Sequence, residues 1–343
     1  MYRFADGFDS CAATADLANK GWTIGTGWTW NGSEGVNGGG CIKNTGAAGN
    51  LITKSYRTSS NATTVTYHMF WVKISSAPSS AQAFMLFTDD VGTLTGGLAV
   101  GSDGTLGLAT SATVIGSVST ANICDNSWHH IEVSLSKSNA ITLGSYSVWV
   151  DGTQVLTGVV GGPNTSNNGT ARISYRSIGA AIIVDDTFTW DNVAGSGPTT
   201  SPIGVRQIDT LRPNAAGDSA AMQRFGAATN WQAVAETAAD GDTSYVYTGT
   251  SGTIDLYNFA DLATTPTTIT AVVVNSHVRA EGGGTINVRA KAKRSTSTAN
   301  GDTVEIGGTA YRNIQQAFMT DPSTSAAWTA AGVNAAQIGL EVV

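Results

Sequence analysis

Apolar and polar residues alternate along most of this chain with a period of two, the signature of strands that bury one face. The clearest run is 127–135, Ser-Trp-His-His-Ile-Glu-Val-Ser-Leu, followed by 146–155, Tyr-Ser-Val-Trp-Val-Asp-Gly-Thr-Gln-Val. Asp151-Gly152 supplies the positive φ angles of a tight hairpin turn. The same rhythm predicts strands over 65–71 and 83–88, with a turn at Asp89-Asp90-Val91-Gly92. It also predicts a hairpin of 98–101 and 105–108 about Asp103-Gly104, and a strand over 114–118. Trp22, Trp28 and Trp30 alternate with Thr and Gly, as in short strands at a sandwich edge.

The pattern breaks at 195–204, Gly-Ser-Gly-Pro-Thr-Thr-Ser-Pro-Ile-Gly, which reads as a linker stiffened by two prolines. The expected organisation is therefore a first domain over 1–194 and a second over 205–343. In the second, strands are expected over 205–211, 245–247, 268–274, 286–292, 304–306 and 338–343, with a turn at Arg212-Pro213-Asn214. A short helix is expected over 230–239, with Trp231, Val234 and Ala235 on one side.

Composition strengthens the β reading. The chain has 343 residues, enough for two domains, and its 41 glycines with abundant Ser, Thr and Asn disfavour long helices. A hydrophobic content of 41% and nine tryptophans are too much for a disordered chain. The fold class expected is all-β: a β-sandwich jelly roll plus a second, smaller β-sandwich. Net charge is −7, and no basic stripe marks a nucleic-acid surface. The densest basic stretch, Arg289, Lys291, Lys293 and Arg294, reads as one solvated strand face. The aliphatic runs are too short to span a bilayer as helices. Tyr2, Arg3 and Phe4 already open a strand, so no secretory leader is expected, and the sequences Asn61-Ala62-Thr63 and Asn168-Gly169-Thr170 read as chance matches to the glycosylation pattern. Cys11, Cys41 and Cys124 are too few for a disulfide framework; buried thiols and a Cys11–Cys41 bridge both remain open.

Three motifs resemble one family. Trp128-His129-His130-Ile131, Val148-Trp149-Val150-Asp151-Gly152, and Ile183-Val184-Asp185-Asp186 ending on Trp190 fall in the order seen in laminin-G-like, concanavalin-like jelly rolls. The opening residues Phe4 to Asp9 are similar to the start of such a domain. The resemblance covers about residues 1–195. It implies that the first and last strands lie side by side. It also implies calcium as a cofactor to be tested, bound through rim aspartates: Asp89, Asp90 and Asp103 in the turns, with Asp240 and Asp242 in the second half. Trp22, Trp28 and Trp30 are the candidate glycan platform if exposed, and core residues if not.

A second resemblance joins the halves. Ile208-Asp209-Thr210-Leu211-Arg212-Pro213, the run from Ala239 to Val246, and Asp321-Pro322 through Trp328-Thr329 to Val333-Asn334-Ala335 are similar to a β-rich domain of tailed-bacteriophage virion proteins. This implies a non-enzymatic structural protein of the virion surface, a capsid decoration or a tail or collar appendage, assembled in the host cytoplasm. Its implied partners are other virion proteins, further copies of itself (a trimer first among the choices) and host-surface glycans, with no nucleic acid and no membrane insertion. The alternatives are a carbohydrate-binding module of cellular origin and a glycan hydrolase.

The hydrolase reading needs two carboxylates about 5 Å apart for a retaining mechanism. Residues two or four apart on a strand share a face, and none of the six glutamates has an acid so placed on a convincing inner face. Asp185 and Asp186 are adjacent and expected on opposite faces, as are His129 and His130, which then cannot grip one metal. Gly282-Gly283-Gly284 is a turn and not a phosphate loop, because no Lys-Ser/Thr follows. No catalytic residues are assigned.

Overall fold

The computed structural model describes residues 1–57, 65–109, 119–136, 144–160, 170–193, 197–198, 201–282 and 284–343. The strand expected over 114–118 lies outside them, as do Asn61-Ala62-Thr63, Asn168 and Gly169 of the second glycosylation match, linker residues 195, 196, 199 and 200, and Gly283. The chain divides into two compact units, Met1–Ile208 and Asp209–Val343.

The first unit holds β1 (Tyr2–Asp6), a one-turn helix α1 (Asp16–Asn19), β2 (Trp22–Ile24), β3 (Trp28–Asn31), β4 (Cys41–Asn44), β5 (Leu51–Ser55), β6 (Val65–Ile74) and β7 (Gln82–Thr88). It continues through β8 (Leu94–Val100), β9 (Leu106–Ala109), β10 (Trp128–Ser136), β11 (Gly144–Val150), β12 (Thr153–Val160), β13 (Arg172–Arg176) and β14 (Ile182–Asp191). An eight-stranded sheet runs β12-β11-β10-β6-β14-β4-β3, with β1 also paired to β14; a six-stranded sheet runs β2-β5-β13-β7-β8-β9. The strands at the two ends of the resemblance are thus neighbours, with Phe4 opposite Thr189 and Asp6 opposite Thr187. Asp151 and Gly152 have φ of 51° and 82° and close the β11–β12 hairpin, as a two-residue turn with both central residues left-handed requires.

Alternation fills the space between the sheets. On β6, Phe70, Val72 and Ile74 are buried, and on β10 so are Ile131, Val133 and Leu135; they meet Phe84, Phe87, Leu98 and Tyr175 in one apolar cluster. Cys11, Cys41 and Cys124 are free and buried, so the Cys11–Cys41 bridge is not formed. Burial pushes each thiol up to about 12. Asp185 and Asp186 do not simply alternate: Asp186 takes a φ of 48° in a bulge of β14 against β6, and both side chains are buried.

A polar network crosses this core. His68 Nδ1 lies 2.8 Å from Thr189 Oγ1, His68 Nε2 lies 2.9 Å from the Tyr175 hydroxyl, and that hydroxyl lies 2.8 Å from Thr187 Oγ1. Burial pushes His68 down to about 3, so the ring is neutral in the folded protein. The folded state then binds fewer protons than the unfolded chain between the ordinary histidine value and pH 3. Stability from this site is complete above about pH 6.5 and falls as pH drops through that window, by roughly 4–5 kcal/mol in all. Denaturant melts of the full chain at pH 7 and pH 4 are expected to show the greater part of this loss, and His68→Gln to remove that share while buried His130, also held low, keeps its own.

The second unit holds β15 (Pro213–Ala220), β16 (Gln223–Phe225), a 3-10 turn (Gln232–Val234), β17 (Tyr245–Tyr247), β18 (Ile254–Phe259), β19 (Val272–Val278) and β20 (Thr285–Arg294). After these come β21 (Ser297–Asn300), β22 (Val304–Gly307), β23 (Arg312–Phe318), a short helix α2 (Ala330–Asn334) and β24 (Gln337–Val342). A six-stranded sheet runs β15-β18-β24-β20-β21, with β22 also on β20, and β19 pairs with β23. Ala290, Ala292 and Ile338 of the large sheet meet Phe318 of β23 and Trp328 in the core between the layers. Both units are therefore β-sandwiches, and the protein is all-β.

Three expectations for the second half of the chain fail. The helix expected over 230–239 shrinks to one 3-10 turn, because the Asn230 amide donates to Met222 O at 2.8 Å and to Asp255 Oδ2 at 2.6 Å. Pro213-Asn214 begins an edge strand instead of a turn, a place where a missing N–H is tolerated. Residues 205–211 form no strand. The basic stretch on β20 is an ion-paired face: Arg289 and Lys291 reach Glu341 at 2.9 and 2.6 Å, Lys293 pairs with Asp218, and Arg294 with Asp321.

Candidate binding surfaces

On the eight-stranded sheet, Trp71 and Glu132 have the opposite parity to the core residues of β6 and β10, so they stand on its outer face. That face is closed by the chain itself. Glu132 Oε1 accepts from Ser201 Oγ at 2.5 Å and Ile203 N at 2.9 Å, and Oε2 accepts from Gly204 N at 3.3 Å. Trp71 Nε1 donates to Arg206 O at 2.7 Å. Ile208 lies so close to Gly7 that a Cβ there would meet its Cγ2 at 3.0 Å. The segment 201–208 is a strap laid across β10, β6 and the start of the chain. Its polar backbone finds partners in side chains, which is why its apolar residues form no strand.

Beneath the strap, Glu132 and His130 are each 1% exposed. Burial raises the Glu132 carboxyl, against the pull of Ser201, Ile203 and Gly204. Burial also pushes His130 down to about 4, and Trp71 meets the ring edge-on at 5.3 Å. A second buried carboxyl, Asp185, is pushed up to about 7 by burial, and its oxygens accept from Val36 N at 2.8 Å and Asp186 N at 2.7 Å. Raised carboxyls are the currency of acid–base catalysis when they line a cleft; these two are sealed by backbone. His129, by contrast, faces Asp151 and Asp125 at 2.8 and 3.1 Å, so the two histidines serve separate contacts.

The sequence-selected residues fall elsewhere. Trp22 and Trp28 are 3% and 2% exposed, in the core, and Trp30 packs against it. Their indole N–H groups donate inward, to Asp6 Oδ2, Asn50 O and Phe8 O respectively. Trp22 and Trp28 therefore present no ring face to a sugar, and Trp30 is half-buried. Asp89 is buried and accepts from Val91 N and Thr93 N, while Asp103 caps its own turn through Thr105. Asp89 with Asp90 and Asp103 stand at opposite ends of β8, seven residues or roughly 20 Å apart, too far to share an ion. Asp240 accepts from Ser244 and Asp242 pairs with Arg279. Among the described residues no group of three or more His, Cys, Asp or Glu is placed to hold a metal.

Exposed aromatic rings gather in the second unit. β16 and β17 form a two-stranded ribbon in which Phe225 faces Tyr245 and Gln223 faces Tyr247. Cross-strand partners and residues two apart share a face, so Phe225, Tyr245, Tyr247 and Gln223 line one side. Phe225 and Tyr245 stack at 5.3 Å, Tyr245 and Tyr247 meet at 5.7 Å, and Phe225 and Tyr247 are 54% and 44% exposed. Gly226 lets the ribbon close: its φ is 76°, and a Cβ there would lie 1.9 Å from Thr243 O. Tyr311 in the same unit stacks on His277 at 4.7 Å, carries Arg279 over its ring, and donates its hydroxyl to Asp242 Oδ1 at 2.8 Å.

The other side of the ribbon carries Arg224, which lines an open cleft of roughly 300 Å³ with Trp231, Tyr257, Asn230 and Ala216. Its wall is fixed by Asp255, fully buried, which accepts from Met222 N at 2.7 Å, Asn230 Nδ2 at 2.6 Å and the Tyr257 hydroxyl at 3.0 Å. The alternating Tyr245 and Tyr247 were a readable signal in the sequence; the partner Phe225 and the cleft behind it carried none.

No family model matches this sequence, and no curated protein matches it. Solved structures similar to parts of it include the CBM22-1 xylan-binding domain of Paenibacillus barcinonensis Xyn10C, at 14% identity and a TM-score of 0.33 over 57% of this chain and 97% of that one. Alginate lyase Aly36B gives 11% and 0.35 over 54% and 95%. Trypanosoma rangeli sialidase with the inhibitor DANA gives 12% and 0.27 over 44% of this chain, which spans only 27% of the sialidase. These values are too low to carry a function across.

Proposed function

We propose that this is a non-enzymatic glycan-contacting protein of a bacteriophage particle surface, built on a laminin-G-like jelly roll and a second sandwich that presents the contact. The observation that carries the glycan reading is the row of rings on the ribbon, Phe225 and Tyr247 exposed and Tyr245 half-buried. Aromatic faces that offer apolar area beside polar edges suit the mixed surface of a sugar ring, and hydroxyls of Tyr245 and Tyr247 with the Gln223 amide add hydrogen-bonding capacity. The non-enzymatic reading is supported by Glu132 and Asp185, whose raised carboxyls are closed over by backbone donors. The virion assignment is supported by the paired resemblances of the two halves, and a symmetric homo-oligomer joined to other virion proteins follows from it.

A glycan array probed with the full chain is expected to give saccharide binding that Phe225→Ala/Tyr247→Ala weakens at least tenfold. Both residues are exposed, so the variant keeps the fold. An array without binding, or one unchanged by the double substitution, rejects the glycan reading. Purified phage particles are expected to contain the chain in a fixed copy number and to bind an antibody raised against it; absence from particles rejects the virion reading.

A further inference from the structure

We infer that the cleft behind the ribbon is a second saccharide site, separate from the ring row, and that it selects sugars bearing a carboxylate. This goes beyond the reading above, because Arg224 and Val246 lie on the opposite face of β16 and β17 from Phe225, Tyr245 and Tyr247. The cleft joins two kinds of group. Trp231, half-buried, offers an indole to the apolar face of a pyranose, and Ala216, Ala220 and Ala228 leave room for a ring above them. Arg224, exposed, brings a guanidinium to the same opening. Its Nε donates to Ala227 O at 3.3 Å, and its terminal amino groups have no partner among the described residues. Those amino groups form the planar fork that binds a carboxylate through two parallel hydrogen bonds, which neither a lysine nor a hydroxyl reproduces.

The wall sets the orientation. Asp255 lies buried behind Asn230 and Tyr257 with three donors on its oxygens, so an anion is disfavoured at the inner end and favoured at the Arg224 rim. A carboxylated sugar therefore enters with its ring over Trp231 and its carboxylate outward. Because the wall is held by these bonds before any ligand arrives, little ordering is required on binding.

The test uses the full chain with two oligomers of equal length, cellohexaose and its C6-oxidised counterpart, a hexamer of glucuronate, titrated by calorimetry. The glucuronate oligomer is expected to bind about tenfold to a hundredfold more tightly, the span of a charge-assisted pair, with the advantage shrinking as salt is added. Arg224→Gln is expected to erase the advantage, and Phe225→Ala/Tyr247→Ala to leave it in place. Equal binding of the two oligomers, no binding of the glucuronate oligomer, or an advantage that survives Arg224→Gln overturns the inference. The ring-row reading stands or falls separately, on neutral-glycan binding and its loss in the double variant.

Discussion

Glu132→Ala is expected to release the strap over 201–208 and to destabilise the first unit by about 2–4 kcal/mol. Glu132 is the single acceptor for Ser201 Oγ, Ile203 N and Gly204 N, three donors drawn from one short segment. Hydrogen bonds to a charged group contribute about 1.5–3 kcal/mol each, but the freed donors regain water once the strap lifts, so the loss stays well below their sum. Lifting it also uncovers Trp71, whose bond to Arg206 O is then broken, and His130 beneath. Amide exchange should rise sharply at Ile203 and Gly204 while β6 and β10 keep their protection. Glu132→Gln retains a carbonyl acceptor and should fall between. Unchanged exchange at 203 and 204 in the alanine variant means that the strap is held by its apolar contacts alone.

A still larger effect is expected from Asp6→Ala. Asp6 closes β1 with its carboxylate 5% exposed, paired to Lys20, which is itself 7% exposed. The same carboxylate accepts from Phe8 N at 2.9 Å and from Trp22 Nε1 at 2.9 Å. Removing it leaves a buried ammonium and a buried indole N–H without their acceptor, and breaking a buried ion pair from one side costs about 3–5 kcal/mol. Replacing both partners, Asp6→Ala with Lys20→Met, removes the stranded charge and is expected to recover most of that loss. Denaturant melts of the four proteins in the cycle measure this directly. A double variant as unstable as Asp6→Ala would show that the cost comes from lost packing around Phe8 and Trp22 and not from the charge.

The parts of the fold that the sequence made legible are those in which one strand buries one face. β6, β10 and the β11–β12 hairpin follow from strict alternation and from Asp151-Gly152, and the pairing of β1 with β14 follows from the resemblance of their motifs. Elements fixed by distant side chains were not legible. Residues 205–211 alternate well enough to suggest a strand, yet Arg206 O is held by Trp71 and Ile208 lies against Gly7, far away in the chain, and no local pattern encodes that. The site was the least legible part. Trp22, Trp28 and Trp30 sit among glycines, which permits exposure without requiring it, and the structure buries the first two and half-buries the third. The turn aspartates serve their own loops, as aspartate commonly does. Tyr245 and Tyr247 were legible only as a strand, and Phe225 joins them only through the ribbon pairing, its exposure depending on what the rest of the unit leaves uncovered.

The central claim is that the exposed rings hold a glycan without altering it. The measurement that bears on it most directly takes the strongest array ligand, incubates it with the full chain, and follows both its affinity and its mass. The account predicts that the ligand binds, that Phe225→Ala/Tyr247→Ala weakens binding at least tenfold, and that the saccharide is recovered at its original length. A shortened or unsaturated product, or binding indifferent to the two rings, contradicts it.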